Sequence, residues 1–127
     1  MATRPPIPAV RLPQDRMTRS LRGRIESEAQ SLLKAVGSAK KLSARDKRTL
    51  QGILAPLANA TNSDTSAIRL SLSQLDSFMA GFGGAVRRFV IGLGSCIDDC
   101  DKDAKSCVES RSVCQILHAA CVLNCIG

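Results

Sequence analysis

The stretch SCIDDCDKDAKSCVESRSVCQILHAACVLNCIG, residues 95–127, decides the architecture of this chain. It holds all six cysteines, spaced C-x3-C-x6-C-x6-C-x6-C-x3-C, a palindrome. At about 100° per residue, Cys96, Cys100 and Cys107 fall within about 40° of one another on a helix. By the same count Cys114, Cys121 and Cys125 share a face. Each half therefore reads as a helix with one cysteine stripe, and Ser110-Arg111-Ser112 reads as the turn between them. Residues that face each other across an antiparallel hairpin have position numbers with a constant sum. Of the fifteen pairings open to six cysteines, one meets this rule throughout: Cys96 with Cys125, Cys100 with Cys121 and Cys107 with Cys114. The expectation is a helical hairpin cross-linked at base, middle and tip, its helices close enough to bring paired Cα atoms within about 7 Å.

The same stripes have other readings. Reduced C-x3-C pairs on a helix suit a soft metal such as Cu(I), so a reduced Cu(I)-binding protein is one alternative. Redox exchange is another, although no C-x-x-C motif is present. Compartment decides among them, because cytosolic thiols stay reduced. The palindrome favours structural bridges, since a metal site does not require each cysteine to have one partner in equal register. His118 lies beside the second stripe and reads as a packed or capping residue.

The two hairpin helices differ in polarity. Asp98, Asp99, Asp101 and Asp103, with Lys102 and Lys105, give the first a charged outer face. The second, QILHAACVLNCIG, is apolar nearly all round through Ile116, Leu117, Val122, Leu123 and Ile126, which predicts burial on every side.

Upstream, the chain is basic. Of a net charge of +7 over 127 residues, residues 1–48 carry +8, residues 49–95 carry +1 and residues 96–127 carry −2. Residues 1–15 contain four prolines and read as an extended Pro/Arg-rich arm. Arg4, Arg11, Arg16, Arg19, Arg22 and Arg24 are the candidates for contact with an anionic surface, whether acidic protein, lipid or RNA. With no Trp or Tyr and three Phe, the chain lacks stacking platforms for single-stranded nucleic acid. Its nucleic-acid binding would rest on phosphate contacts alone.

Residues 16–95 read as a helical region. A first helix is predicted from Arg16 to Lys41 on the stripe Met17, Leu21, Ile25, Ala29, Leu32 and Val36. Ser43 and Asp46 predict a cap for a second, running to Asn59 with Leu50, Ile53, Leu54 and Leu57 inward and Pro56 interrupting its end. After a polar loop, a third helix starts at Ser66 with Ile68, Leu72, Leu75, Met79 and Phe82 as its seam. Residues 78–94 are apolar and glycine-rich, but Arg87-Arg88 interrupt them, so they read as a buried hinge and not a membrane span, with an interfacial segment or a close-packed helix contact as the alternatives. The fold class is all-α: arm 1–15, helical region 16–95, stapled hairpin 96–127.

The C-x3-C pairs at Cys96/Cys100 and Cys121/Cys125 resemble the twin C-x3-C helical hairpins of the mitochondrial intermembrane space and, more distantly, the CHCH proteins. The resemblance covers about a quarter of the chain; a third bridge and a twenty-residue gap between the motifs depart from the usual pattern. It implies oxidative folding in the intermembrane space without a cleaved presequence. It also implies a non-catalytic role as a structural, accessory or assembly subunit of an inner-membrane respiratory-chain complex. A second resemblance, of LSLSQLDSFMAG at 70–81 to the leader end of exported bacterial peptides, implies a secreted, bacteriocin-like three-disulfide peptide cleaved near Gly81. No acid–base pair, activated nucleophile or phosphate loop stands out, so no enzymatic activity, cofactor or resident metal is expected.

Overall fold

The computed structural model describes residues 16–89 and 93–126, with side chains placed outside 82–95 and Ile126. Five helices make up the described chain: α1 (Arg19–Ser38), α2 (Ala44–Ala58), α3 (Thr65–Phe89), α4 (Leu93–Lys105) and α5 (Arg111–Ile126). One 3-10 turn, Ala60–Asn62, links α2 to α3, and no strand occurs among the described residues. The fold class is the all-α one expected from the sequence.

Local chemistry sets the boundaries. The first helix begins at Arg19 and not Arg16, because the Thr18 hydroxyl caps it by accepting from the Leu21 N–H at 3.1 Å. It ends at Ser38, three residues before Lys41, as Ala39 turns extended. Ser43 caps α2 as its spacing predicts, accepting from the Asp46 N–H at 3.0 Å. Pro56 sits in the last turn of α2, where the missing N–H costs one helical bond and the helix stops two residues later.

A hinge is expected over residues 78–94, but the α3 backbone continues helically through Gly81 as far as Phe89. Residues 90–92 and the side chains of 82–95, Phe82 included, lie outside the described set, as does the arm with Arg4 and Arg11. No helix among the described residues is long and apolar enough to cross a membrane.

Burial follows the predicted stripes. Ile25, Ala29, Leu32 and Val36 of α1 meet Leu50, Leu54 and Leu57 of α2 and Ile68, Leu72, Leu75 and Met79 of α3 in one core. That core is continuous with Val113, Ile116, Ala119, Val122 and Leu123 of α5. The sequence placed α5 as half of a hairpin; in the fold it packs on α1 and α3 as well as on α4. Its near-uniform hydrophobicity is thereby used, since three elements cover it. Leu117 is the exception, 36% exposed on the side that none of them covers.

Between α2 and α3, the Arg22 guanidinium donates to the carbonyls of Ala60 and Ser63 and to the Thr65 hydroxyl. It thereby satisfies the carbonyls where the 3-10 turn ends and α3 starts. On the outer side of the same turn, Glu26 accepts from the Thr61 hydroxyl at 2.7 Å and from its N–H at 3.1 Å.

Candidate functional site

All three bridges form in the register given by the constant sum. Cys96–Cys125, Cys100–Cys121 and Cys107–Cys114 have Cα separations of 5.9, 5.7 and 6.1 Å. No cysteine is free. The reason lies in α4, which turns Ile97, Cys100 and Ala104 inward and leaves Asp98, Asp99, Lys102 and Asp103 in solvent.

The tip differs from the expected one. The first helix ends at Lys105, so Cys107 sits in the connecting loop and not on a three-cysteine helical stripe. Arg111 and Ser112, expected in the turn, form the first turn of α5, and the Ser110 hydroxyl accepts from the Val113 N–H at 3.3 Å. A serine cap is the signal that places this boundary, as at Ser43.

His118 is buried and bonds Asp101 on α4 through Nε2 at 2.8 Å, a polar tie beside the middle bridge. This is the packed role that its position beside the stripe suggests. The Sγ atoms of Cys96, Cys100 and Cys125 lie within 4.8 Å of one another. Each is held in a disulfide, and a disulfide sulfur is no thiolate ligand. Copper binding by these groups would need the bridges reduced first.

Between α4, the tip loop and α5 lies a groove of about 360 Å³. Its floor is sulfur and methyl: Cys100–Cys121, Cys107–Cys114 and Ala104. Leu117 and Val108 form apolar walls, and Val108 is 95% exposed. Asp103 and Glu109 line it with negative charge. Glu109 also reaches Arg24 of α1, 3.6 Å away. Exposed aliphatic side chains over a rigid, acid-lined floor make a surface suited to contact, and the sequence alone had assigned Leu117 to the core.

The candidate basic contacts divide. Arg22 is engaged by the 60–65 turn, and Arg24 pairs with Glu28 at 3.1 Å and with Glu109. Arg16 and Arg19 are exposed at the start of α1. Of the four described arginines, two are thus exposed and two are engaged within the protein; a periodic stripe could not show that Arg22 reaches across to a loop about 40 residues away.

No protein-family model, curated protein or solved structure matches the chain. The resemblance to twin C-x3-C hairpins thus has no family match behind it. What stands is the class that the fold defines: a helical bundle whose C-terminal helix pair carries three nested disulfides.

Proposed function

We propose that this protein is a non-catalytic structural or assembly subunit whose stapled hairpin is a rigid docking element. The observation that carries this reading is Val108, 95% exposed beside a groove that two disulfides hold open. Cross-links keep such a surface in one shape before a partner arrives, which lowers the ordering cost of association. The acid lining of Asp103 and Glu109 calls for a partner protein segment with an aliphatic side chain set among Lys or Arg. Arg16 and Arg19, exposed at the start of α1, are available to an acidic protein, lipid or RNA surface.

The compartment proposed is the mitochondrial intermembrane space or the adjoining inner membrane, in a respiratory-chain assembly. It rests on the twin C-x3-C resemblance and on bridges that need an oxidising environment. Secretion as a peptide released near Gly81 is the second reading, supported by the same bridges. In that case α5 would leave behind α1, against which it packs.

Submitochondrial fractionation with non-reducing mass spectrometry tests the compartment: three bridges on a chain shielded by the outer membrane are expected. Six free thiols in the cytosol would defeat the reading, and a mature product starting near residue 82 would transfer it to the exported peptide. Val108→Asp and Leu117→Asp test docking, since both positions are exposed and need not disturb the core. Retention of all three bridges with loss of comigration in a large native assembly is expected. Unchanged comigration would defeat the docking role of this groove while leaving the compartment standing.

A further inference from the structure

The groove at the hairpin tip lies close to the place where the chain enters α1. Thr18 and Leu21, at the start of α1, line one cavity together with Glu109 and Ser110 of the tip loop. At the far ends of the same helices, Ala35 and Ser38 of α1 line another with Leu123 and Asn124 of α5, so α1 and α5 run side by side in the same direction. Both N-termini therefore stand at the tip, and Glu109 lines the cavity beside Thr18 as well as the acid-lined groove. Arg24, 3.6 Å from Glu109, stands six residues beyond Thr18, about 9 Å along the helix. Arg11, seven residues before Thr18, can lie up to about 23 Å from it in an extended chain. Glu109 is thus within reach of the arm.

The arm also has the composition that this groove calls for. Residues 4–12, RPPIPAVRL, set Ile7 and Val10 between Arg4 and Arg11 and contain no acid. Pro5, Pro6 and Pro8 favour polyproline II there, a helix in which every third residue shares a face. Arg4, Ile7 and Val10 fall on one such face, with the two aliphatic residues about 9 Å apart, and Arg11 follows directly. The groove offers the complement: Val108 and Leu117 as apolar walls, Asp103 and Glu109 as acids, and no Lys or Arg among its described lining residues. The contact from Arg24 falls on Oε2 of Glu109, and a carboxylate offers about four lone-pair sites, so Glu109 can accept from a second guanidinium as well.

Resting on the docking role given to this groove above, we propose that residues 4–12 of the same chain seat in it. Ile7 and Val10 lie on Val108 and Leu117, Arg11 faces Glu109, and Arg4 faces Asp103. The direction follows from the connection, since the end of the arm that leads into α1 must stay nearest Thr18. Tethering supplies what the small contact area lacks: a short linker presents the arm at an effective concentration of about millimolar, so even a weak contact is populated. A proline-rich segment also has little freedom left to lose on seating. A partner carrying the same basic, aliphatic pattern must then compete with the arm.

Photocross-linking of the full, disulfide-intact chain tests this, with p-benzoylphenylalanine in place of Ala9, next to Val10 but off the seated face. Irradiation of the dilute protein should join position 9 to residues within 103–117 of the same molecule, as read by peptide mapping. Arg4→Glu/Arg11→Glu should lower that yield at least about threefold, and adding Asp103→Lys/Glu109→Lys should restore it. Asp103 and Glu109 are exposed, and non-reducing mass spectrometry checks that the bridges persist. Should the Lys variants lose a bridge, the arm variant alone decides. Cross-links that map elsewhere, or none, would overturn the proposal. So would products formed only between two molecules, or a yield that Arg4→Glu/Arg11→Glu leaves untouched. The docking role is separable: lost comigration of Val108→Asp with no arm cross-link would leave docking standing and overturn the arm's seat. A cross-link to the groove with unchanged comigration would support the seat and defeat docking.

Discussion

The Sγ of Cys100 lies 3.8 Å from the Sγ of Cys125, although the two belong to different bridges. Cys125 stands one helical turn beyond Cys121 on α5, so the base and middle bridges stack against each other. A thiolate at Cys125 would have the neighbouring bridge within reach. Removing its partner by Cys96→Ser should let Cys125 attack Cys100, forming Cys100–Cys125 and displacing Cys121 as the thiolate. Acid-quenched alkylation with peptide mapping should find Cys121 labelled as well as Cys125. Label on Cys125 alone would show that the native middle bridge resists exchange.

The bridges should not contribute equally. Loop-closure entropy assigns about 2.5 kcal/mol to a bridge with the seven-residue separation of Cys107–Cys114, and about 3.4 kcal/mol for the 21 residues of Cys100–Cys121. Cys100 and Cys114 are equally buried, but of these two bridges the middle one joins the core cluster, with Cys100 in it and Cys121 packed against it. Denaturant unfolding of the paired Ser variants should therefore find Cys107→Ser/Cys114→Ser the milder of the two, and the reverse order would refute this.

Arg22 is a structural arginine. Its guanidinium serves two carbonyls and a hydroxyl at the α2–α3 connection, all part-buried. Arg22→Ala should cost about 1–3 kcal/mol by taking that donor from the Ser63 carbonyl and the Thr65 hydroxyl, while the Ala60 carbonyl keeps the Ser63 N–H. Arg22→Lys should recover only part of this, because an ammonium cannot reproduce the planar fork. Chemical denaturation measures both, and a neutral Arg22→Ala would contradict the assignment.

Asp76 should make stability depend on pH in the sense opposite to most acidic residues. Burial raises its folded-state pKa, with His118 and Arg111 pulling it back. The native state thus holds the proton more tightly than the unfolded chain, so stability falls as pH rises through the raised value. Asp76→Asn should raise Tm at pH 7. The gain should vanish near pH 3, below the ordinary carboxylate range. Glu26 acts the other way: bonds from Thr61 lower its pKa, so its contribution is present at neutral pH and lost on acidification. Thermal scans of Asp76→Asn and Glu26→Gln at both pH values should diverge in sign at pH 7, and parallel shifts would refute the pair of assignments.

The sequence by itself determined the bridges, the helix class and most of the core. A helix places side chains at a fixed angular step, so the cysteine spacing fixed both the stripe and the pairing. The inward sets Ile25/Ala29/Leu32/Val36 and Ile68/Leu72/Leu75/Met79 were legible for the same reason. Boundaries were less so at Arg19 and Arg111, where a serine or threonine hydroxyl, and not periodicity, sets the first turn. Only the tertiary structure decided that α5 sits among α1, α3 and α4, that Leu117 and Val108 face outward beside a groove, and that Arg22 turns inward. It alone brought Asp76 to Arg111 from 35 positions away. Local periodicity records which face of a helix is apolar. It carries no information on which other helix covers that face, because that depends on how several stripes pack together at once.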